Sequence, residues 1–124
     1  ETRARTPNAE VEKLVIEQSE KMGIARREIS DDEILKRCQY PKINEGARIL
    51  EEGIAIRASD IDVVWCNGYG WPKYRGGPMF WADSIGLDSI VATMREFRAQ
   101  HGDHWKPAAL LEQLAAEGKR FTES

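Results

Sequence analysis

The chain has 124 residues, of which 31% are charged and 41% hydrophobic, and a formal net charge of -3. That length suits one domain with a core of ordinary size. The charge is too small and of the wrong sign for a nucleic-acid or anionic-membrane binder, and no apolar run approaches the roughly 20 residues of a membrane span.

The opening ETRARTPNAEVEK has no apolar segment and reads as no secretory signal, and the lack of an initiator Met fits an excised piece of a longer protein. Cys38 and Cys66 form no CxxC pair and have no His at ligand spacing. No disulfide framework or zinc site is expected from them. They read as reduced, buried thiols in a cytoplasmic protein.

Residues 1–8 are polar, with one Pro, and are expected to form a disordered terminus. From Ala9 to Met22 the spacing of Val11, Leu14, Val15 and Met22 predicts a helix with one apolar face, ended by Gly23. Its charges, Glu10, Glu12, Lys13, Glu17, Glu20 and Lys21, form a solvated face. Ser30-Asp31-Asp32-Glu33 has the form of a capping box. A long helix follows over about residues 31–57, with Ile34, Leu35, Cys38, Ile43, Ala47, Ile49, Leu50 and Ile54 at helical spacing. Pro41 predicts a kink near residues 36–40. Gly46 and Gly53 suit close helix approach.

Ser59 and Asp60 are expected to cap a short helix over residues 61–66, with Asp60 and Asp62 in its first turn. The run from Asn67 to Pro72 reads as a structured loop. Gly76-Gly77-Pro78 opens a helix that stops at Gly86. Asp88 is expected to cap the next helix, whose inner face carries Ile90, Val91, Met94 and Phe97, and His101-Gly102-Asp103 ends it. A last helix over about residues 107–116 closes at Gly118, and residues 119–124 read as a tail. The expected fold class is all-α, with about six helices and one domain over residues 9–124.

Several of these residues recur in a known order. Arg37, Pro41, Asn44-Glu45-Gly46, Glu52-Gly53, Asp60-Ile61-Asp62, Gly68-Tyr69-Gly70, Gly77-Pro78, Asp83 and Gly86-Leu87-Asp88 follow one another through the middle of the chain. This order resembles the C-terminal helical domain of the 3-hydroxyacyl-CoA dehydrogenase family. More closely, it is similar to the second copy of that domain in multifunctional fatty-acid β-oxidation enzymes, such as the fatty oxidation complex alpha subunit. In the first, catalytic copy an Asn directly precedes the matching Arg, but here that position is Lys36. The upstream His-Glu pair and the Gly-x-Gly-x-x-Gly fingerprint are absent as well. The resemblance therefore implies a domain that braces the catalytic parts of its parent without catalysing anything itself. It implies no cofactor in this segment and NAD in the parent. The implied partners are the upstream dehydrogenase and hydratase domains of the same chain. A self-associating helical module forming a homodimer, and an acyl-CoA-binding domain, are the alternatives.

No catalytic, cofactor-binding or metal residue is assigned. Asn44 and Glu45 are candidates for a contact to substrate or to a neighbouring domain, and the competing role is a hydrogen bond that fixes helix packing. Trp71, Tyr74 and Arg75 are candidates for an aromatic groove in which the guanidinium meets a CoA phosphate. The competing role puts Trp71, Tyr74 and Phe80 in the core and pairs Arg75 with Asp83 or a carbonyl. Trp71 and Trp81 are also candidates for packing against a neighbouring domain. His101 and His104 read as surface residues.

Overall fold

A computed structural model of the protein describes residues 6–123. Among these residues there are six α-helices and no strand, in keeping with the all-α fold class. Of the expected disordered terminus, residues 1–5 lie outside the described residues, as does Ser124. The chain divides into two compact units, residues 1–30 and 31–124, whereas helical pattern alone ran one domain from residue 9 to residue 124.

The first unit holds α1 (Ala9–Lys21). The Asn8 carboxamide oxygen accepts from the backbone N–H groups of Glu10 and Val11, at 3.0 and 3.4 Å, which satisfies two of the donors that a helix start leaves free. At the other end Ile24 N–H reaches back to Ser19 O and Gly23 N–H to Glu20 O, the paired bonds of a Schellman turn. No residue of α1 is buried. Val11, Leu14, Val15 and Met22 are each more than half exposed.

The second unit opens with α2 (Asp31–Glu51), which runs through Pro41 without a break in its helical assignment. Helical spacing carries on to about residue 57, but α2 stops at Glu51. Gly53 adopts φ +68°, and Ile54 and Gly53 donate back to Ile49 and Leu50, so the chain turns out of the helix there. α3 (Ala58–Gly68) starts three residues earlier than Ser59-Asp60 capping would place it, with Arg57 at its N-cap. Asp60 still serves that end, accepting the Arg57 N–H at 3.2 Å.

After a 3-10 turn at Lys73–Arg75 come α4 (Pro78–Ile85), α5 (Leu87–His101) and α6 (Ala109–Glu117). Asp88 lies inside the first turn of α5, and Gly86 holds the N-cap. The four residues expected on the inner face of α5 are all buried, together with Leu87.

α4 is the hub of this unit, touching α2, α3, α5 and the final 3-10 turn. α2 approaches it at Gly46, where a Cβ would collide with the Met79 Sδ. Of the expected tail, residues 119–123 do not trail off. Phe121–Glu123 form a 3-10 turn, Phe121 is 1% exposed, and the Asp83 carboxylate accepts from Phe121 N–H, Thr122 N–H and the Thr122 hydroxyl at 2.8, 3.0 and 2.9 Å.

Candidate functional site

Burial separates the five candidate residues. Asn44 is 4% exposed. Its amide donates to Lys106 O at 3.0 Å and its oxygen accepts from Ala108 N–H at 2.7 Å. Both ends of the carboxamide thus tie α2 to the segment leading into α6, which meets the hydrogen-bonding demand of a buried amide. Glu45, the next residue, is exposed and lies 3.7 Å from Arg48. The two point to different surroundings and form no joint site.

Trp71, Tyr74 and Arg75 do come together. With Leu35 and Gln39 from α2, Pro72, and Trp81 from α4, they line a pocket of about 250 Å³. Trp71 is buried among aromatic rings, 5.7 Å from Trp81 and 6.3 Å from Trp65. It and Trp81 belong mainly to this unit's own core, not to an open face for another domain. Tyr74 and Phe80 are instead 83% and 54% exposed, so neither fills the core. Arg75 does not pair with Asp83, whose oxygens hold the C-terminal turn. The Arg75 Nε lies 3.3 Å from the Tyr74 hydroxyl, and the guanidinium stacks 5.4 Å from the Tyr74 ring and 5.9 Å from the Trp81 ring, within cation–π range.

Asp62 has a role that a count of helix positions would not assign. Although it lies in α3, its carboxylate accepts from the N–H groups of Met79 and Phe80 at 2.7 and 3.1 Å and caps α4 from outside. Gly77, at φ +98°, passes so close that a Cβ would collide with Asp62. Burial pushes the Asp62 carboxyl up from the ordinary carboxylate range and Asp83 adds to the rise, against the pull of the two N–H bonds.

A second, larger cleft of about 530 Å³ lies between the end of α2, the turn after it and α3, lined by Ile49, Ile54, Ile56, Val64, Trp65 and Tyr69 among others. Ile56 is 91% exposed and Ile54 71%. Two isoleucines so open beside exposed Val64 and Tyr69 form the kind of apolar patch that marks a contact surface. The sequence signal for it is Ile54-Ala55-Ile56 directly after Gly53, which the expected helix over residues 31–57 concealed.

His101 and His104 are exposed, and His101 Nε2 lies 2.5 Å from an Arg37 nitrogen. Cys38 is exposed and Cys66 half-buried, so neither is the fully buried thiol expected, because α2 turns Cys38 away from the core. A Rossmann dinucleotide site needs a strand feeding a glycine loop and a helix. Among the described residues there is no strand of that kind. No helix among them is long and apolar enough to cross a membrane.

The described residues thus form a strand-free helical unit with a long first helix, a Gly-Gly-Pro helix start capped by a distant acid, and an exposed apolar cleft. Residues 34–123 match the family model of the 3-hydroxyacyl-CoA dehydrogenase C-terminal domain, and the chain belongs to that family. It is 42% identical over 118 residues to the peroxisomal bifunctional enzyme of Cavia porcellus, which covers 94% of this chain and 16% of that enzyme. The human peroxisomal bifunctional enzyme is 46% identical over 97 residues, 77% of this chain and 13% of the enzyme. The glyoxysomal fatty acid beta-oxidation multifunctional protein MFP-a of Cucumis sativus is 35% identical over 116 residues, 90% and 16%. The chain thus spans no more than 16% of these relatives. Their names also overturn the cytoplasmic reading, since they are peroxisomal or glyoxysomal enzymes. Reduced thiols do not discriminate between the cytosol and such an organelle.

Proposed function

We propose that this chain is the C-terminal helical domain of a multifunctional β-oxidation enzyme and that it braces the parent's catalytic domains without catalysing a step itself. The observation that carries this reading is the coverage, in which 94% of the chain aligns to 16% of a bifunctional enzyme. The exposed cleft at Ile54 and Ile56 supports it, since a brace needs an apolar face for its neighbour. In the parent, oxidation of a 3-hydroxyacyl-CoA with hydride passing to NAD belongs to the upstream dehydrogenase domain, and the upstream dehydrogenase and hydratase domains are the partners. Tyr74 and Arg75, and separately the exposed Glu45, are assigned to contact with a neighbouring domain, whereas Trp71 fills this unit's own core. Asn44 serves that surface only indirectly, by fixing α2 against the segment before α6.

The test uses a relative truncated before this domain, assayed for NADH-dependent acetoacetyl-CoA reduction with and without the 124-residue chain. Recovery of activity on adding the chain, which is itself inactive and gives no heat on calorimetric titration with acetoacetyl-CoA, supports the brace. Full activity of the truncated enzyme sinks it. Saturable heat with the chain alone favours the acyl-CoA binder instead, and a stable dimer in sedimentation favours the self-associating module.

A further inference from the structure

The pocket between α2, the Lys73–Arg75 turn and α4 combines features that its role as core edge does not explain. Its lining contains one cation and no acid: Leu35, Gln39, Trp71, Pro72, Tyr74, Arg75 and Trp81. Among the described residues Arg75 forms no ion pair, and its hydrogen-bond partner is the neutral Tyr74 hydroxyl. Its guanidinium is held over two aromatic rings, which orients the fork of N–H donors at little further entropic cost. The indole Nε1 of Trp71 is buried and has no hydrogen-bond partner, an exception to the rule that buried donors are satisfied. The rest of the lining is mainly aromatic and aliphatic.

The volume narrows the choice of occupant. About 250 Å³ falls below the roughly 300–1,000 Å³ of ordinary small-molecule sites. It is too small for a nucleotide and suits one side chain. We infer that the pocket is a socket for a single acidic side chain of the polypeptide against which this domain packs, with Arg75 as its charge partner. This rests on the bracing reading and adds the chemistry of one contact to it. The incoming carboxylate takes two N–H bonds from the guanidinium while its methylenes lie on Trp81 and Pro72. Trp71 lines the same pocket, so its indole signal reports the occupant.

The measurement is a nitrogen-15 NMR titration of the 124-residue chain, reading the four indole N–H signals and the arginine Nε–H signals. The probes are N-acetylglutamate amide, N-acetylglutamine amide, inorganic phosphate and coenzyme A. The expected result is a saturable shift of the Trp71 and Arg75 signals with the glutamate probe, at least about tenfold stronger than with glutamine, the margin of one charge-assisted bond. Arg75→Met should abolish that preference, Arg75→Lys should retain part of it by keeping charge without the fork, and Lys73→Met should leave it intact. The helical circular dichroism of each variant checks its fold. No saturable shift, or equal shifts with both amides, overturns the socket. Tighter binding of phosphate or coenzyme A also overturns it and makes the pocket a small-molecule anion site. The trans-complementation assay is independent of all these outcomes, so the brace can stand while the socket fails.

Discussion

The helices α1 and α4 start from different local chemistry and end in opposite environments. α1 has 13 residues, a side-chain cap of its own at Asn8 and an apolar face, yet buries none of its residues. α4 has 8 residues, begins after glycines that offer no side-chain cap, and buries Pro78, Met79, Trp81 and Ala82. Its cap is borrowed from Asp62, 17 positions earlier. A good local pattern therefore makes a helix, but burial and stability come from what other segments bring to it. α1 buries no residue of its own, and α4 is defined by its partners.

The strongest way to test that contrast is to remove a partner of α4. Phe121, 1% exposed, touches the hub from a segment that reads as a tail. Phe121→Ala should cost about 3–5 kcal/mol, the usual range for an aromatic deleted from a core. A urea-unfolding series would read it as a fall in midpoint at unchanged slope. A loss under about 1 kcal/mol, the size of a surface change, would mean that the C-terminal turn does not support α4.

A smaller effect is expected at Asn44. In Asn44→Ala the Ala108 N–H loses its acceptor, whereas the Lys106 carbonyl keeps the Arg48 side chain at 3.4 Å. One buried donor left unpaired costs about 1–3 kcal/mol. Asn44→Asp keeps the acceptor and should lose less in the same unfolding assay. If Asp proves as damaging as Ala, the N–H bond to Ala108 is not what matters.

What sequence made legible follows the same division. Helix ends at Gly23, Gly86 and Gly118 and the buried face of α5 depend on neighbours within a few positions, and such local chemistry is readable. The end of α2 was missed by six residues because Ile54 continues the apolar count, although Gly53 turns the backbone. Asp62 looked like a cap for its own helix because its true partners lie 17 and 18 residues away. Phe121 looked like tail because the acid that secures it, Asp83, sits 38 positions back. Among the candidate site residues, Trp71, Tyr74 and Arg75 meet because they are close in sequence. Leu35, Gln39 and the isoleucine cleft required the fold.

The capping carboxylate of α4 allows a test by pH. Burial raises the folded-state pKa of Asp62, so on acidification the folded protein takes up this proton before the unfolded chain does. The contribution of Asp62 to stability therefore grows as pH falls through its raised value. It is complete below the unfolded value of about 3.9, and lost as pH rises again. The lowered carboxyls of Asp60, from its bond to Arg57, and of Glu117, from its bond to Lys119, work in the other direction. The difference between wild type and Asp62→Asn isolates the term. Wild type should gain on the variant as pH drops from neutral towards about 4. An unchanging difference would mean that the two backbone N–H bonds offset burial at this carboxyl, and a loss on acidification that they outweigh it.

The smallest effect should come from removing α1 altogether. A chain of residues 31–124 loses no buried side chain of α1, because there is none, and it keeps the compact unit that begins at Asp31. Its unfolding free energy should lie within about 1 kcal/mol of that of the full chain, as for changes away from any packed feature. Solubility should improve, since Val11, Leu14, Val15 and Met22 leave with the helix. A larger loss would show that the apolar face of α1 finds a partner in solution. The same truncation in the trans-complementation assay then tells whether that partner is the parent enzyme: if residues 31–124 restore activity less well than the full chain while folding equally well, α1 carries part of the contact.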